Sequence, residues 1–363
     1  RRGQGTPMTP ADFWNLAGRA GRWGKEFQGN IICVDPYKEN LWYQGEPPRK
    51  RMKFLIQRTT ERTLNQPNIL IEFIDRGGIS KKQTERYLEY VYSYLTILAV
   101  QYGDLSLSPA ANIIPKDFFE TLNEKILEKL DISLVSRETI LRNPGISSVG
   151  MDALYTYFEE RIEKKHPENF LPPDIWSDEP VSSYTAIFSR LFKNVGALRL
   201  GSDRRAFGVA LLTVKWMRGV PLPQLINDRY AYEQKRNPSI NIASVIRRVM
   251  EDVETTVRFE VPKYLSAYAD VLSNFYHDKG MNTLAGRIQD YSLSLEFGVS
   301  EKTQISLMSL GLSRTTAIAI SEYITDSDLD KEDVINVLRS FDLEGIDIPA
   351  LCVEEIRRVL ELS

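Results

Sequence analysis

Gly18-Arg19-Ala20-Gly21-Arg22 sets two guanidinium groups three residues apart, each directly after a glycine. A guanidinium stays charged at physiological pH and offers a planar fork of donors that fits phosphate oxygens. Two such forks beside small residues can close on a polyphosphate and neutralise charge as the terminal phosphoryl leaves. Residues on either side are suited to hold them. Thr9-Pro10-Ala11-Asp12 reads as an N-cap, a proline at the first helical position and an acid in the first turn. The helix face then carries Phe13, Leu16 and Ala17. Gly29-Asn30-Ile31-Ile32-Cys33-Val34 reads as a short apolar strand, buried on both faces of a parallel sheet. These signals read as a folded setting, unlike that of a disordered arginine-glycine tail.

Asn15-Leu16-Ala17-Gly18-Arg19-Ala20-Gly21-Arg22 resembles the last conserved motif of superfamily 2 helicases of the DEAD/DEAH type. The form is closest to the group with winged-helix and ratchet domains behind the motor. That group includes exosome-assisting RNA helicases, archaeal repair helicases and some bacterial anti-phage defence helicases. Asn15 stands where the family usually has Gln. The resemblance implies that Arg19 and Arg22 act catalytically, reaching a γ-phosphate across a cleft between two lobes. It also sets Asn15, Gly18 and Gly21 against the nucleotide, with ATP and Mg held mainly by the other lobe.

That other lobe is not legible in these residues. No Gly-x-x-x-x-Gly-Lys-Ser/Thr loop occurs; the stretch from Gly18 to Gly24-Lys25-Glu26 has one residue too many and ends on Glu. Asp178-Glu179-Pro180 lacks a strand before it and has proline after it. With Arg1-Arg2 at its start, the chain is expected to be the C-terminal part of a longer helicase, binding no nucleotide and hydrolysing no ATP alone.

Composition narrows the class. A chain of 363 residues, 42% hydrophobic, is long enough for several cores. Cys33 and Cys352 sit among apolar residues and read as buried thiols in a reducing cytoplasm. Two histidines, His166 and His277, lack a ligand pattern around them, so no metal site is expected. No apolar run reaches the length that spans a membrane. The net charge of −3 conceals a gradient: residues 1–62 hold twelve Lys/Arg against six Asp/Glu, and residues 290–363 hold six against fifteen. The basic end suits phosphate ligands and the acidic end does not.

The expected fold is mainly α. Residues 1–45 are read as the end of a second RecA-like α/β motor lobe, and Gly45 to Arg51 as a proline-stiffened basic connector. Residues 46–170 are a winged-helix-like helical region without a clear wing hairpin. Its long helix starts from a Ser80/Gln83 capping box and ends at Gly103, with an apolar stripe of Tyr87, Leu88, Val91, Leu95, Leu98 and Tyr102. Tyrosines 87, 90, 92 and 94 are read as packing residues rather than a base-stacking platform. Further helices are expected near 116–130 and 150–164. Residues 165–180, rich in proline, read as a linker.

Residues 171–285 form the expected ratchet-like helical domain. It is centred on a core helix from Ala206 to Met217, with Trp216 buried. The pattern Val214-Lys215-Trp216-Met217-Arg218-Gly219-Val220-Pro221-Leu222 resembles the ratchet domains of these helicases, more weakly than the arginine motif does. Lys235 and Arg236, with Arg247 and Arg248 on a helix near 241–257, either hold strand phosphates or form a solvated face. Residues 286–363 form an acidic helical domain containing Leu310-Gly311-Leu312-Ser313-Arg314-Thr315-Thr316-Ala317. That stretch resembles a helix-hairpin-helix turn with Ser313 in place of its second glycine. Gly311 and Arg314 are thus candidate phosphate contacts, though packing is the preferred reading.

The leading function is therefore that of an ATP-dependent helicase or translocase acting on single-stranded or partly duplex nucleic acid. The alternative is an interaction scaffold whose acidic C-terminal region docks a protein partner such as a defence effector nuclease.

Overall fold

Apolar residues at three- and four-residue spacing recur through most of this chain and build a stack of helices. A computed structural model describes residues 55–362, apart from positions 198, 202, 289, 290 and 344. The arginine motif with Asn15, Gly18, Arg19, Gly21 and Arg22, the strand at 29–34, Cys33 and the basic connector lie outside the described residues. The chain divides after Gln66. Of the first unit, only helix α1 (Leu55–Asn65) is described.

The second unit, Pro67–Ser363, begins with α2 (Asn68–Asp75), α3 (Arg86–Tyr102), α4 (Lys116–Asp131), α5 (Arg137–Arg142), α6 (Ser148–Glu159) and α7 (Pro180–Val195). It continues with α8 (Asp203–Met217), α9 (Leu222–Gln234) and α10 (Ile242–Glu251). A π-helix follows over Asp252–Glu260 and runs straight into α11 (Val261–Asp278). The short α12 (Asn282–Ala285) and α13 (Ser292–Phe297) lead to α14 (Lys302–Ser309), α15 (Arg314–Ser321), α16 (Lys331–Ser340) and α17 (Ala350–Leu362). Every regular element among the described residues is helical, so the mainly α expectation holds there.

The central core lies between α6, α7, α8 and α11. Tyr184, Ile187, Phe188, Leu191 and Val195 recur at helical spacing on α7 and are almost wholly buried. Phe158 of α6 gathers Phe170, Tyr268 and Phe275 around it at ring separations of 5.2, 5.3 and 5.7 Å. A second cluster, formed by Leu307, Leu312, Ala317, Ile320, Val334, Leu338, Ile356 and Val359, closes α14–α17 on one another. Cys352 is buried in the same region.

Several local expectations are corrected. The long helix starts at Arg86, after a 3₁₀ turn over Gln83–Glu85, not at Ser80. Ser80 is buried, and its amide donates to Glu89 Oε2 at 3.1 Å, so the capping-box pairing with Gln83 does not form. Tyr87 and Tyr102 leave the expected stripe and are exposed, as are Tyr90 and Tyr94; Tyr92 takes a core place.

The proline-rich segment 165–180 is a strap rather than a loose linker. Pro167 and Phe170 carbonyls accept from Tyr276 and Tyr268 hydroxyls at 2.6 and 2.8 Å, and the Pro173 carbonyl from Tyr184 and Tyr291. Proline removes donors but leaves its carbonyl oxygens free to accept, and tyrosines satisfy them here. The helix expected near 241–257 is α10, and the π-helix takes over after Glu251.

Candidate nucleic-acid interface

The cations singled out between 235 and 248 lie on the α9–α10 hairpin. Arg236 rests over the exposed Tyr232 ring, 4.8 Å from its centroid. Lys235 and Arg247 are exposed. Arg248 is partly committed: it pairs with Glu233, a carboxylate that Arg229 also grips at 2.5 Å. Glu233 is nearly buried and therefore needs these partners. The hairpin thus offers Lys235, Arg236 and Arg247 to solvent and uses Arg248 largely for itself.

The turn at 310–317 has the opposite arrangement. Gly311 adopts φ +103°, a conformation that favours glycine, with open space where a Cβ would stand. Ser313 caps α15 through its hydroxyl, which accepts from the Thr316 amide at 3.3 Å. An anion already sits at this helix start, and it belongs to the chain. Glu355 of α17 accepts from the Ser313 amide at 2.9 Å and the Ser313 hydroxyl at 2.8 Å, and also from the Thr316 hydroxyl. Burial raises the Glu355 pKa, but these hydrogen bonds outweigh it and hold the carboxyl below the usual glutamate range.

Arg314 points elsewhere. Its Nε donates to the Gly298 carbonyl at 2.9 Å, and one terminal nitrogen donates to the Val220 and Trp216 carbonyls at 2.9 and 3.2 Å. The guanidinium lies 4.0 Å from the Trp216 ring centre, and burial pushes its pKa down to about 10. Arg314 is therefore part of a packed joint, whereas Gly311 is exposed. Three backbone carbonyls take the Arg314 donors read as phosphate contacts, and the Glu355 carboxylate takes the amide and hydroxyl of Ser313 beside them.

Trp216 is buried as expected and donates its indole N–H to the Leu295 carbonyl at 2.9 Å. Arg218, beside it, donates to the Ile175 carbonyl and stacks on Trp176. The pattern from Val214 to Leu222 therefore joins the strap, α13 and α15 to the end of α8.

One polar centre was not read from the sequence. Arg86 of α3 donates to Glu260, at the end of the π-helix, at 2.5 Å; Arg199 approaches the other Glu260 oxygen at 3.7 Å. Lys263, one turn on, donates to the Gly145 carbonyl at 2.8 Å and lies over the Tyr90 ring. Burial opposes the Arg86 charge, but Glu260 and the neighbouring tyrosines hold its pKa above the ordinary value. Lys263 has no such close acid, and burial lowers its pKa to about 8. Burial also raises that of Glu89, one of whose oxygens has no hydrogen-bond partner among the described residues. A signal was present: Arg86, Glu89 and Ser93 form a polar stripe at helical spacing beside the apolar one, and all three are buried. The groups spend their charges on one another, which fits a role in fixing α3 against α11.

Among the described residues, no group of His, Cys, Asp and Glu could hold a metal ion, and no helix is long and apolar enough to cross a membrane. Comparison of the whole chain with protein-family models, curated proteins and solved structures found no match.

Proposed function

We propose that this chain is the C-terminal part of an ATP-dependent nucleic-acid helicase, supplying arginine fingers and strand-guiding helices to a motor whose ATP- and Mg-binding lobe lies elsewhere. The observation that carries this reading is the sequence from Asn15 to Arg22, whose two Gly-Arg pairs stand between residues that read as a capped helix and a run of apolar residues. The helical region behind the motif is in keeping with the winged-helix and ratchet units of the family it resembles. The exposed cations of the α9–α10 hairpin are the surface best suited to strand phosphates. Arg22→Ala in the protein carrying both lobes is expected to lower ATP turnover on the order of 10³-fold with folding intact. Near-normal turnover would remove the catalytic assignment.

A second reading, protein docking, has one observation in its favour. Ile242, Ile246 and Met250 recur every four residues on α10 and are exposed, forming an apolar stripe beside Arg247. Binding to single-stranded DNA or RNA that weakens steeply with salt supports the helicase reading; flat or absent binding favours docking.

A further inference from the structure

A cavity of about 930 Å³ opens between Lys164 and the strap, the start of α7 and the segment after α12. Its volume lies in the range of sites that hold a ligand of nucleotide size. Four cations line it: Lys164, Lys165, Arg190 and Arg287. Glu168 and Asp174 are the acids in the lining, so the formal balance, four minus two, is +2 with His166 neutral. Glu168 pairs with Arg287 at 2.8 Å, whereas Lys164 and Lys165 have no ion-pair partner among the described residues and are exposed.

The opposite wall is one face of α7. Ser182 and Ser183 lie in its first turn, and Arg190 lies about two turns further along the same face. Neither serine hydroxyl has a partner among the described residues. Pro180 has no N–H to offer, so the positive end of this sixteen-residue helix is presented by the amides and hydroxyls that follow. Arg190 is held in place beforehand. It donates to the Tyr268 hydroxyl at 2.9 Å, and Tyr268 in turn donates to the Phe170 carbonyl at 2.8 Å. That bond uses one of five guanidinium N–H groups and leaves the rest of the fork at the half-buried wall.

We propose that this cavity binds a phosphate monoester, with Lys164, Lys165 and Arg190 on the phosphate oxygens and Ser182 and Ser183 donating beside them. A dianionic monoester matches the +2 lining better than a singly charged phosphodiester does. The ligand is a free nucleoside monophosphate or the phosphorylated end of a strand. This assignment does not depend on the helicase reading, because none of these residues belongs to the arginine motif.

Calorimetric titration of the full chain tests it, using adenosine monophosphate, adenosine, and a short oligonucleotide with and without a 5′-phosphate. Monophosphate is expected to bind and adenosine not, with affinity rising as pH passes about 6, where the second phosphate proton leaves. Preference for the phosphorylated oligonucleotide over the free nucleotide would identify a strand end, and the reverse a free nucleotide. Arg190→Gln should weaken binding about tenfold or more, since it removes charge-assisted hydrogen bonds. Should that variant fold poorly, Lys164→Ala/Lys165→Ala, made at exposed positions, must show the same loss. Equal binding of adenosine and its monophosphate, no monoester binding at millimolar concentration, or unchanged affinity in the lysine double variant would each overturn the proposal.

Discussion

Replacing Arg86 with Met tests whether the buried charge network fixes α3 against the π-helix and α11. The Arg86 and Glu260 side chains are 9% and 4% exposed, and they meet at 2.5 Å. After the change, the Glu260 carboxylate would retain Arg199 as its ion-pair partner among the described residues, at 3.7 Å and with a more exposed side chain, with Lys263 acting at longer range. Removing one partner of a buried pair costs about 3–5 kcal/mol, chiefly because the other charge stays buried. Arg199 offsets part of that, so a loss of about 3 kcal/mol is expected, read as a lower urea midpoint at unchanged slope. The double variant Arg86→Met/Glu260→Met should lose less than the Arg86 variant alone, because no uncompensated carboxylate remains. A loss below about 1 kcal/mol for Arg86→Met, the scale of a surface pair, or additive losses in the double variant, would refute the reasoning.

Three further outcomes follow from neighbouring sites. Burial holds the Lys263 pKa down to about 8 in the folded chain, below the ordinary lysine value of about 10.4. The unfolded chain therefore binds more protons between those limits, and stability should rise with pH across that window, by up to about 3 kcal/mol. Lys263→Met should flatten that rise in urea titrations at pH 7.5 and 9.5; an equal rise in both proteins would contradict the assignment. Gly298→Ala puts a Cβ 2.3 Å from the Trp216 ring and 2.6 Å from Arg314 Nε at φ +72°. A loss of about 1–3 kcal/mol, with tryptophan emission shifted to the red, is expected; an unchanged melting temperature would argue against this joint. Glu355→Ala should speed amide exchange in the first turn of α15, and in the natural chain the same protection should fade as pH falls through the lowered Glu355 pKa.

Periodicity made the helices legible where one face is apolar. The expected helix near 116–130 is α4, and Ala206 to Met217 lies within α8, because three- and four-residue spacing of apolar groups leaves little choice of burial face. It failed at α3, where aromatic residues resembled core. Tyr87 and Tyr102 are amphipathic enough to stay at the surface, while Arg86 and Glu89 are buried because partners far along the chain neutralise or bond them. Arg86 and Glu260 are 174 positions apart, and no local pattern announces such a pair. The strap at 165–180 misled for a related reason: its prolines suggest a linker, but its carbonyls are satisfied by four tyrosine hydroxyls from other segments.

Two helix starts bring this difference into focus. A helix N-terminus attracts an anion wherever it occurs, so a motif alone does not say which anion arrives. At Ser313 the surrounding sequence is strongly acidic, and one of those acids, Glu355, takes the seat; the local charge balance already disfavoured an outside phosphate. At Pro180 the cations come from both sides, Lys164 and Lys165 from the segment just before the helix and Arg287 from far along the chain, around Ser182 and Arg190. Charge counted along the chain can therefore disfavour an outside anion where acids abound, as they do between residues 322 and 355. It cannot nominate one whose cations are assembled by folding.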